Sequence, residues 1–378
     1  MLNLKKKIRT RIHQLVRLLR FLSIRMAMNL KATACTKAKK KTANILFNIT
    51  TEEVLKRYIF SLARCLQVSG ATVRFQFHWR FLFRDHEPND FALLLSPNIG
   101  FIYWPQRKRS ASNDFQIHAV GKNQKANSNI ASFTQLKLAP ALPITNDAEY
   151  FVPLTIGPMY VHEHEKWVPS AESVATAAYE KRVIDVFFSG ALKKPAYTSH
   201  HVLDSIGVYG RKMVVDWMLK NATTNGLEYF DDYGKSHGLL KSAARHHLVI
   251  VEAQTAGFSG MDYRQILLKS RFFLALPGID SVHTHSMIEA ICCGVVPIVQ
   301  RSKQLHVEFQ HGKTCLIFDS MQDLDAMLEE SRTIAEAEWK EMSKNCRLLY
   351  EEKFSPEAIG RNALHAIRNG MSLAIIQA

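Results

Sequence analysis

The sequence predicts an α/β protein with two Rossmann-like domains that face a cleft, preceded by a basic amphipathic helix. Three observations favour this architecture. The chain has 378 residues, of which 47% are apolar, and this is enough to fill two domain cores of roughly 150 residues each. Short apolar runs alternate with segments of helical periodicity, as in parallel sheets that are covered by helices. The basic charge is concentrated at the amino terminus.

The amino-terminal segment, residues 1–41, is the most basic part of the chain. It holds thirteen Lys and Arg and no Asp or Glu, so the formal net charge of +15 leaves only +2 for the other residues. We therefore do not expect the rest of the chain to bind nucleic acid. Apolar residues recur every three or four positions from Leu4 to Met26, which predicts an amphipathic helix. Because three arginines interrupt it, this helix lacks the roughly 20 apolar residues that a membrane span needs.

A helix of this kind can lie in the headgroup layer of an anionic membrane, where each Lys or Arg contributes about 1 kcal/mol. We therefore expect a cytoplasmic protein held peripherally at a membrane surface through residues 1–41. A solvated helix packed on the body and an organelle transit peptide are the alternatives. The six cysteines form no CxxC pair, which indicates buried thiols in a reducing compartment.

The rest of the chain divides into two domains and a final helix. We expect an amino-terminal domain over residues 42–180, a carboxyl-terminal domain over 181–354 and a terminal helix within 355–378. In the first domain the predicted elements are strands Asn44–Ile49, Val73–Phe77, Phe91–Leu95 and Ile99–Trp104 and a helix from Thr50 to Leu66. Residues 105–147 are rich in Asn, Ser, Lys and Gln and are predicted to form a long irregular connection.

The second domain shows a clearer alternation of strands and helices. Its predicted strands are Asp185–Ser189, which ends at Gly190, His247–Val251, Phe272–Leu276, Val295–Val299 and Cys315–Phe318. The predicted helices are Val202–Leu219, Tyr263–Ser270, Ser286–Cys293, Gln322–Ser331, Glu336–Tyr350 and Pro356–Arg368. A doubly wound sheet binds ligands beyond the carboxyl ends of its strands, so the loops after Ser189, Leu276 and Val299 are expected to line a cleft.

Residues 270–299 are the most informative for function. An apolar strand stops at Pro277 and Gly278, a polar loop follows, and the next helix carries Glu289. Backbone N–H groups at the start of that helix, with its positive dipole end, form a seat for a diphosphate. Glu289 is about one turn deeper, where a carboxylate can accept hydrogen bonds from ribose hydroxyls.

His283 and His285 alternate in the polar loop before this helix. His285 lies four residues before Glu289, so both side chains are on one helix face and can act on one ligand. Contact with a bound ligand and an ordinary loop role are both open for the two histidines. No third residue with the spacing of a zinc ligand accompanies them, so no metal site is predicted.

A longer pattern runs through this region, and its members are Tyr263, Leu267, Ser270, Phe272, Leu274, Pro277, Gly278, Ser281, Glu289, Ala290, Gly294, Val296, Pro297 and Ile298. The pattern resembles the nucleotide-sugar-binding region of exostosin-like and related glycosyltransferases of the GT-B fold, and the resemblance covers roughly residues 185–299. It implies transfer of a sugar from a nucleoside diphosphate sugar to a glycan or lipid-linked acceptor. It also implies that Glu289 holds the ribose of the donor and that the loop from Pro277 to Ser286 faces the diphosphate.

Two positions depart from the patterns of the family. Ser286 stands where exostosin-like sequences commonly have Arg. Ser281 stands eight positions before Glu289, so the pair of glutamates separated by seven residues that is common in retaining enzymes is absent, which favours inversion. An inverting enzyme needs a base for the acceptor hydroxyl, expected from the first domain. Asp85 and His86 are the candidates, with a solvated polar turn as the alternative.

The residues expected to bind the donor are Gly190, Arg211, Pro277, Gly278, Ser281, His283, His285, Ser286 and Glu289. Arg211, at the head of a helix, is the cation expected at the diphosphate. Enzymes of the GT-B fold generally balance the negative charge of the leaving diphosphate with side chains and helix ends. The resemblance therefore implies no metal or other cofactor. Two alternatives stay open: a nucleotide-sugar epimerase or hydrolase on the same scaffold, and a non-catalytic binding protein that resembles a glycosyltransferase.

Overall fold

The computed structural model describes residues 43–49, 56–77, 99–103, 115–119, 133–139, 149–153, 157, 164–176, 179–193, 207–221, 226–258, 260–278 and 281–376. The helix expected within residues 1–41, the strand expected at Phe91–Leu95 and the candidate bases Asp85 and His86 lie outside these residues. Within the described residues no helix is both long enough and apolar enough to cross a membrane.

Strands and helices alternate along most of the described chain. The strands are β1 Asn44–Ile49, β2 Thr72–Phe77, β3 Ile99–Tyr103, β4 Phe115–Ala119, β5 Phe133–Ala139, β6 Glu149–Val152, β7 Ile184–Gly190, β8 Leu227–Phe230, β9 His246–Glu252, β10 Ser270–Ala275, β11 Val296–Gln300, β12 Leu316–Phe318 and β13 Ser372–Ile376. The helices are α1 Lys56–Val68, α2 His164–Trp167, α3 Ala171–Thr176, α4 Arg211–Asn221, α5 Tyr233–Lys241, α6 Ala253–Ala256, α7 Gly260–Leu268, α8 His285–Cys292, α9 Met321–Thr333, α10 Glu336–Leu349 and α11 Pro356–Arg368.

The first sheet belongs to the amino-terminal unit and has the strand order β3-β2-β1-β4-β5-β13-β6. Strand β1 pairs in parallel with both β2 and β4. Strands β2 and β3 are therefore added on one side of β1, and β4 and β5 on its other side. On β1 and β2 the alternate residues Ile45, Phe47, Val73 and Phe75 are buried, and the rings of Phe47 and Phe75 stack with centroids 5.1 Å apart. This is the doubly wound parallel arrangement that the sequence predicts.

Strands β4 and β5 correct the prediction for residues 105–147. This region was expected to be irregular, yet Phe115–Ala119 and Phe133–Ala139 pair in parallel with each other in the middle of the sheet. Apolar and polar side chains alternate along β4, as in Phe115, Gln116 and Ile117, and in β5 from Gln135 to Leu138, which is the period of a strand. The Asn- and Ser-rich composition around them concealed this short pattern.

The second sheet has the strand order β12-β11-β10-β7-β9-β8, and its pairings are parallel. Strand β7 is the first of this sheet, the next two strands lie on one side of it, and β10 then pairs on its other side. All residues of β10 and β11 are buried, as expected for strands covered on both faces. The topological switch point, where ligands bind in sheets of this type, therefore lies between β7 and β10.

Helix α4 begins later than the sequence predicts. The expected helix spanned Val202–Leu219, whereas the described residues from Gly207 to Gly210 are not helical and the helix starts at Arg211. Gly207 has a φ of 71°, in the left-handed region that glycine adopts without strain. Arg211 consequently stands at the first position of the helix.

The two compact units divide the chain differently from the predicted domains. The first unit includes the described strands up to β6 and also residues 356–375, and the second runs from Pro153 to Ser355. The predicted boundary at residue 181 falls inside the second unit because the preceding segment is bonded to it: Trp167 Nε1 donates to the carbonyl of Gly260 (3.1 Å). The chain therefore enters the second unit almost 30 residues before the predicted boundary.

The terminal helix α11 returns to the first unit, where it packs on α1. At Gly360 a Cβ atom would lie 2.0 Å from the carbonyl oxygen of Cys65, so the two helices approach at a position where a side chain has no room. Ser69 Oγ also donates to the carbonyl of Glu357 (3.2 Å). These contacts explain why the carboxyl-terminal helix belongs to the amino-terminal unit.

A cluster of charged and polar side chains around the buried Asp185 joins the amino ends of the strands in the second sheet. Asp185, at the start of β7, has a side chain that is 1% exposed and pairs with the fully buried Arg271 of β10. Arg245 Nη2 lies 2.9 Å from Asp185 Oδ1, and His247 Nδ1 lies 2.8 Å from Asp185 Oδ2. Tyr179 accepts a further hydrogen bond from Arg271. Because these contacts are at the amino ends of parallel strands, they lie at the edge of the sheet opposite the loops that follow Gly190 and Ala275.

Candidate functional site

The switch point of the second sheet is formed by the ends of β7 and β10. Strand β7 ends at Gly190, and β10 is followed by Leu276, Pro277 and Gly278, all buried. Both strands run in the same direction, so their carboxyl ends lie at one edge of the sheet. The structure thus brings Gly190, Pro277 and Gly278 together as the sequence predicts.

Arg211 bridges these two strand ends. Its Nε donates to the carbonyl of Pro277 (2.9 Å), and its Nη1 lies 3.2 Å from the position that a Cβ atom would take at Gly190. A side chain at Gly190 would also meet the ring of Phe188 at 2.7 Å. The absence of a side chain at Gly190 therefore lets the guanidinium lie directly over the switch point.

Glu252 anchors the turn that follows Gly190 and was not predicted. This buried residue ends β9. Its Oε2 accepts from the N–H of Leu192 (2.9 Å), and its Oε1 accepts from the N–H of Gln254 (3.1 Å). The carboxylate thus holds the ends of two neighbouring strands together. Because its partner Leu192 is 60 residues away in the chain, no local sequence pattern indicated this role.

Gln300 was also missed and fixes the loop that leads to Arg211. It ends β11, and its Oε1 accepts from the N–H of Tyr209 (2.7 Å). In the same loop Val208 packs against Val282 in a small buried cluster. The segment before Arg211 is therefore tied both to β11 and to the loop after β10.

The loop after β10 is closed by its own hydrogen bonds. The N–H of Gly278 donates to the carbonyl of Ser281 (2.7 Å). Ser281 is fully buried, and its Oγ accepts from the N–H of His283 (3.0 Å). The two described ends of this loop are thus held together, and the observed hydrogen bond of the Ser281 hydroxyl serves the loop itself.

Helix α8 begins after this loop with a capping residue that was not predicted from the sequence. Thr284 is the N-cap, and its Oγ1 accepts from the N–H of Met287 (3.3 Å). His285 and Ser286 occupy the first two helical positions and are half-buried. The backbone N–H groups at such positions precede the intrahelical bonds of the helix and carry its positive dipole end. This helix start has the properties of an anion site.

His283 fastens the neighbouring loop. Its Nε2 lies 2.9 Å from the carbonyl oxygen of Gln304 and 3.2 Å from the backbone nitrogen of His306. Burial lowers the pKa of His283 to about 4, so the ring is neutral at physiological pH. Its Nε2 either donates to the carbonyl or accepts from the amide, depending on the tautomer. The observed contacts of this nitrogen are thus with the protein's own backbone after β11.

Glu289 is buried within α8, with 5% of the residue exposed. Its Oε1 accepts from the N–H of Gly157 (2.8 Å), a residue of the second unit 132 positions earlier in the chain. Burial raises the pKa of Glu289 from 4.5 to about 7, and the hydrogen bond from Gly157 opposes this rise. A buried carboxylate held near its ionisation point is typical of functional sites.

The sequence also led to expectations about the catalytic base, a metal site and the cysteines. The candidate bases Asp85 and His86 lie outside the described residues, so their relation to Arg211 and Glu289 remains a prediction. Among the described residues no group of three or more His, Cys, Asp or Glu side chains is arranged to hold a metal ion. The cysteines Cys65, Cys292, Cys293, Cys315 and Cys346 are buried free thiols.

No protein-family model matches the sequence, and no curated protein gives a significant sequence match. Solved structures do match. The chain is similar to a glycosyltransferase from Rickettsia africae, with 11% identity, 88% of this chain and 99% of that chain covered, and a TM-score of 0.50. This likeness concerns the fold, which is the two-domain α/β fold called GT-B, in agreement with the prediction from the sequence.

Two further solved structures overlap this chain over almost their whole length. Sucrose-phosphate synthase from Thermosynechococcus elongatus has 14% identity, 87% of this chain and 99% of that chain covered, and a TM-score of 0.47. The HepE protein from Anabaena, solved in complex with UDP and glucose, has 10% identity, 86% and 100% covered, and a TM-score of 0.44.

Proposed function

We propose that this protein is a glycosyltransferase that moves a sugar from a nucleoside diphosphate donor to a glycan or lipid-linked acceptor. The observation that supports this proposal is that three suitable groups belong to the elements that follow β7 and β10, the two strands of the switch point. The amino end of α8 and the guanidinium of Arg211 supply positive charge, and the buried carboxylate of Glu289 lies one turn deeper. This set matches a diphosphate followed by a ribose.

Each group would have a distinct task in this reaction. The N–H groups of His285 and Ser286 and the side chain of Arg211 would bind the diphosphate and balance the charge that develops as it leaves. Glu289 would accept hydrogen bonds from ribose hydroxyls. We propose that these groups suffice without a bound metal, since helix ends and fixed cations already supply positive charge at this edge.

The transfer step follows from the donor chemistry. The acceptor oxygen forms a bond to the anomeric carbon, and the bond from that carbon to the phosphate oxygen breaks with its electron pair staying on the nucleoside diphosphate. The proton of the acceptor hydroxyl passes to a base, for which Asp85 and His86 are our candidates. Attack from the face opposite the leaving group inverts the configuration at the anomeric carbon.

We further propose kinship with the exostosin-like subfamily, on the sequence pattern around Pro277, Gly278 and Glu289.

A matched pair of neighbouring cations tests the proposed diphosphate contact. Arg211→Ala removes the guanidinium at the switch point, so the affinity for UDP or GDP in calorimetry is expected to fall by about 10- to 100-fold. Lys212→Ala is the control, because Lys212 pairs with Asp216 at 2.6 Å on the partly exposed surface of α4; its affinity is expected to equal that of the wild type. Equal affinities for both variants would remove Arg211 from the site.

The reaction itself is tested with a panel of nucleotide sugars and candidate acceptors. Transfer of the sugar to an acceptor supports the proposal. Release of free sugar from every donor with no acceptor product would favour a hydrolase, and epimerised donor would favour an epimerase. A wild-type protein that binds no nucleoside diphosphate would contradict the proposed function.

For residues 1–41 we propose binding to the anionic surface of a cytoplasmic membrane, because this segment holds thirteen basic and no acidic residues. Deleting the segment is expected to abolish sedimentation with vesicles that contain phosphatidylserine and to leave nucleotide affinity unchanged. Vesicles of phosphatidylcholine alone serve as the uncharged control. Equal binding of the full-length and truncated proteins to the anionic vesicles would disprove the anchor.

A further inference from the structure

The contact between Gly157 and Glu289 links two distant parts of the second unit. Gly157 follows the end of β6 by five residues, on the segment through which the chain passes from the first unit into the second. Its backbone N–H donates to Oε1 of Glu289 at 2.8 Å, and both residues are buried. A backbone amide from outside the helix therefore acts on the carboxylate that we assign to the ribose.

The two oxygens of this carboxylate have different surroundings. Oε1 accepts the Gly157 N–H, whereas Oε2 has no hydrogen-bond partner among the described residues. One bond from a buried amide is enough to restrict rotation of the carboxylate about its last torsion. The Gly157 contact therefore leaves Oε2 as the oxygen available to a hydroxyl of a ligand.

Charged side chains from the elements around α8 are engaged elsewhere. Arg347 of α10 donates to the carbonyl of Cys292 (2.6 Å), at the far end of α8. Arg271 of β10 pairs with Asp185 at the opposite edge of the sheet. His283 is neutral and bonded to the loop after β11. In the described part of the chain, the Gly157 amide is thus the polar group that acts on this carboxylate.

We propose that the backbone amide of Gly157 is a positioning group of the nucleotide site, which binds Oε1 of Glu289 and thereby presents Oε2, as a carboxylate, to a ribose hydroxyl. This inference rests on the proposed function. A hydrogen bond to a carboxylate favours its ionised form, and the direction of the pKa effect at Glu289 agrees, since the Gly157 amide opposes the rise caused by burial.

A dependence of nucleotide binding on pH follows. With a pKa of about 7, the ionised fraction of Glu289 rises from about one tenth at pH 6 to about nine tenths at pH 8. If the ionised form binds ribose, the affinity for UDP or GDP increases by about tenfold over this range. Without the Gly157 amide the pKa rises further, so the midpoint of this profile moves to higher pH.

The test compares two variants of Gly157 by calorimetry between pH 6 and pH 9. Gly157→Pro removes the N–H and is expected to weaken binding of UDP or GDP by about tenfold at pH 8 and to move the midpoint upward. Gly157→Ala keeps the N–H and is expected to retain the wild-type midpoint. Wild-type binding combined with an unchanged midpoint in Gly157→Pro would overturn the inference while leaving the proposed function intact.

A second measurement needs neither nucleotide nor a folded proline variant. Hydrogen exchange of the Gly157 amide, followed by NMR, is expected to be slow in the wild type and in Glu289→Gln, which keeps an acceptor oxygen. Exchange is expected to accelerate at least tenfold in Glu289→Ala. An equal exchange rate in all three proteins would overturn the inference, whatever the outcome of the nucleotide titrations.

Discussion

Replacing Glu289 by Gln is expected to stabilise the protein above neutral pH and at the same time to weaken its binding of nucleoside diphosphates. Burial raises the pKa of this carboxyl from 4.5 to about 7. In the unfolded chain the group ionises near pH 4.5, so the folded state progressively loses stability as the pH rises from 4.5 to 7. The full loss, of order 3 kcal/mol at most, is then present at pH 8.

Glutamine removes the buried charge and retains an oxygen for the Gly157 N–H. The free energy of unfolding in urea should therefore exceed that of the wild type at pH 8, by up to about 3 kcal/mol, and should match it at pH 4. Glu352→Gln is the control, because Glu352 is exposed and its replacement is expected to change stability little at either pH. If the Glu289→Gln protein is less stable than the wild type at pH 8, the buried charge of Glu289 does not destabilise the folded state as we predict.

The same substitution is expected to lower the affinity for UDP or GDP by about tenfold or more at pH 8, because a charged acceptor binds hydroxyls more strongly than a neutral amide. A gain in stability with a loss of binding is the pattern of a residue retained for function. Unchanged nucleotide affinity would remove Glu289 from the donor site, even if the stability result agreed.

Asp185→Asn is expected to cause the largest loss of stability. The Asp185 side chain is 1% exposed and neutralises Arg271, which is 0% exposed. Removing one partner of a buried ion pair leaves the other charge uncompensated, at a cost of about 3–5 kcal/mol. Urea unfolding followed by tryptophan fluorescence reports on this region, since Trp339 Nε1 donates to the carbonyl of Arg271 (3.1 Å).

The control for this prediction is an ion pair whose charged atoms are close together but exposed to solvent. Asp319 lies 2.6 Å from Arg301, yet both side chains are more than half exposed, and solvent screens the attraction. Asp319→Asn is therefore expected to unfold almost as the wild type does. An Asp185→Asn protein with the same midpoint as this control would show that the buried cluster contributes little. Because the cluster is at the amino ends of the strands, nucleotide affinity measured where Asp185→Asn is folded should remain that of the wild type.

The parts of the site that were predicted from the sequence are those with a local pattern. The strand before Pro277, the turn at Gly278 and the helix with Glu289 follow one another within 23 residues, so apolar runs and turn residues identify them. Helix α5 was missed because its two glycines, Gly234 and Gly238, are unusual within a helix.

The contacts that organise the site could not be predicted in the same way. Glu252 accepts a hydrogen bond from the N–H of Leu192, 60 residues away in the chain. Gln300 accepts one from Tyr209, 91 residues away, and Glu289 accepts one from Gly157, 132 residues away. Each joins segments that only the sheet topology brings together. The sequence carries the residue types for these contacts, but no spacing along the chain relates the partners.

The start of α8, Arg211 and Glu289 are proposed to bind a nucleoside diphosphate together. A crystal structure of the protein with UDP or GDP tests this claim most directly. We predict diphosphate oxygens within hydrogen-bond distance of the N–H groups of His285 and Ser286 and of the Arg211 guanidinium, with the ribose on Glu289 Oε2. A nucleotide bound away from the carboxyl ends of β7 and β10, with Glu289 in contact with Gly157 alone, would contradict the claim.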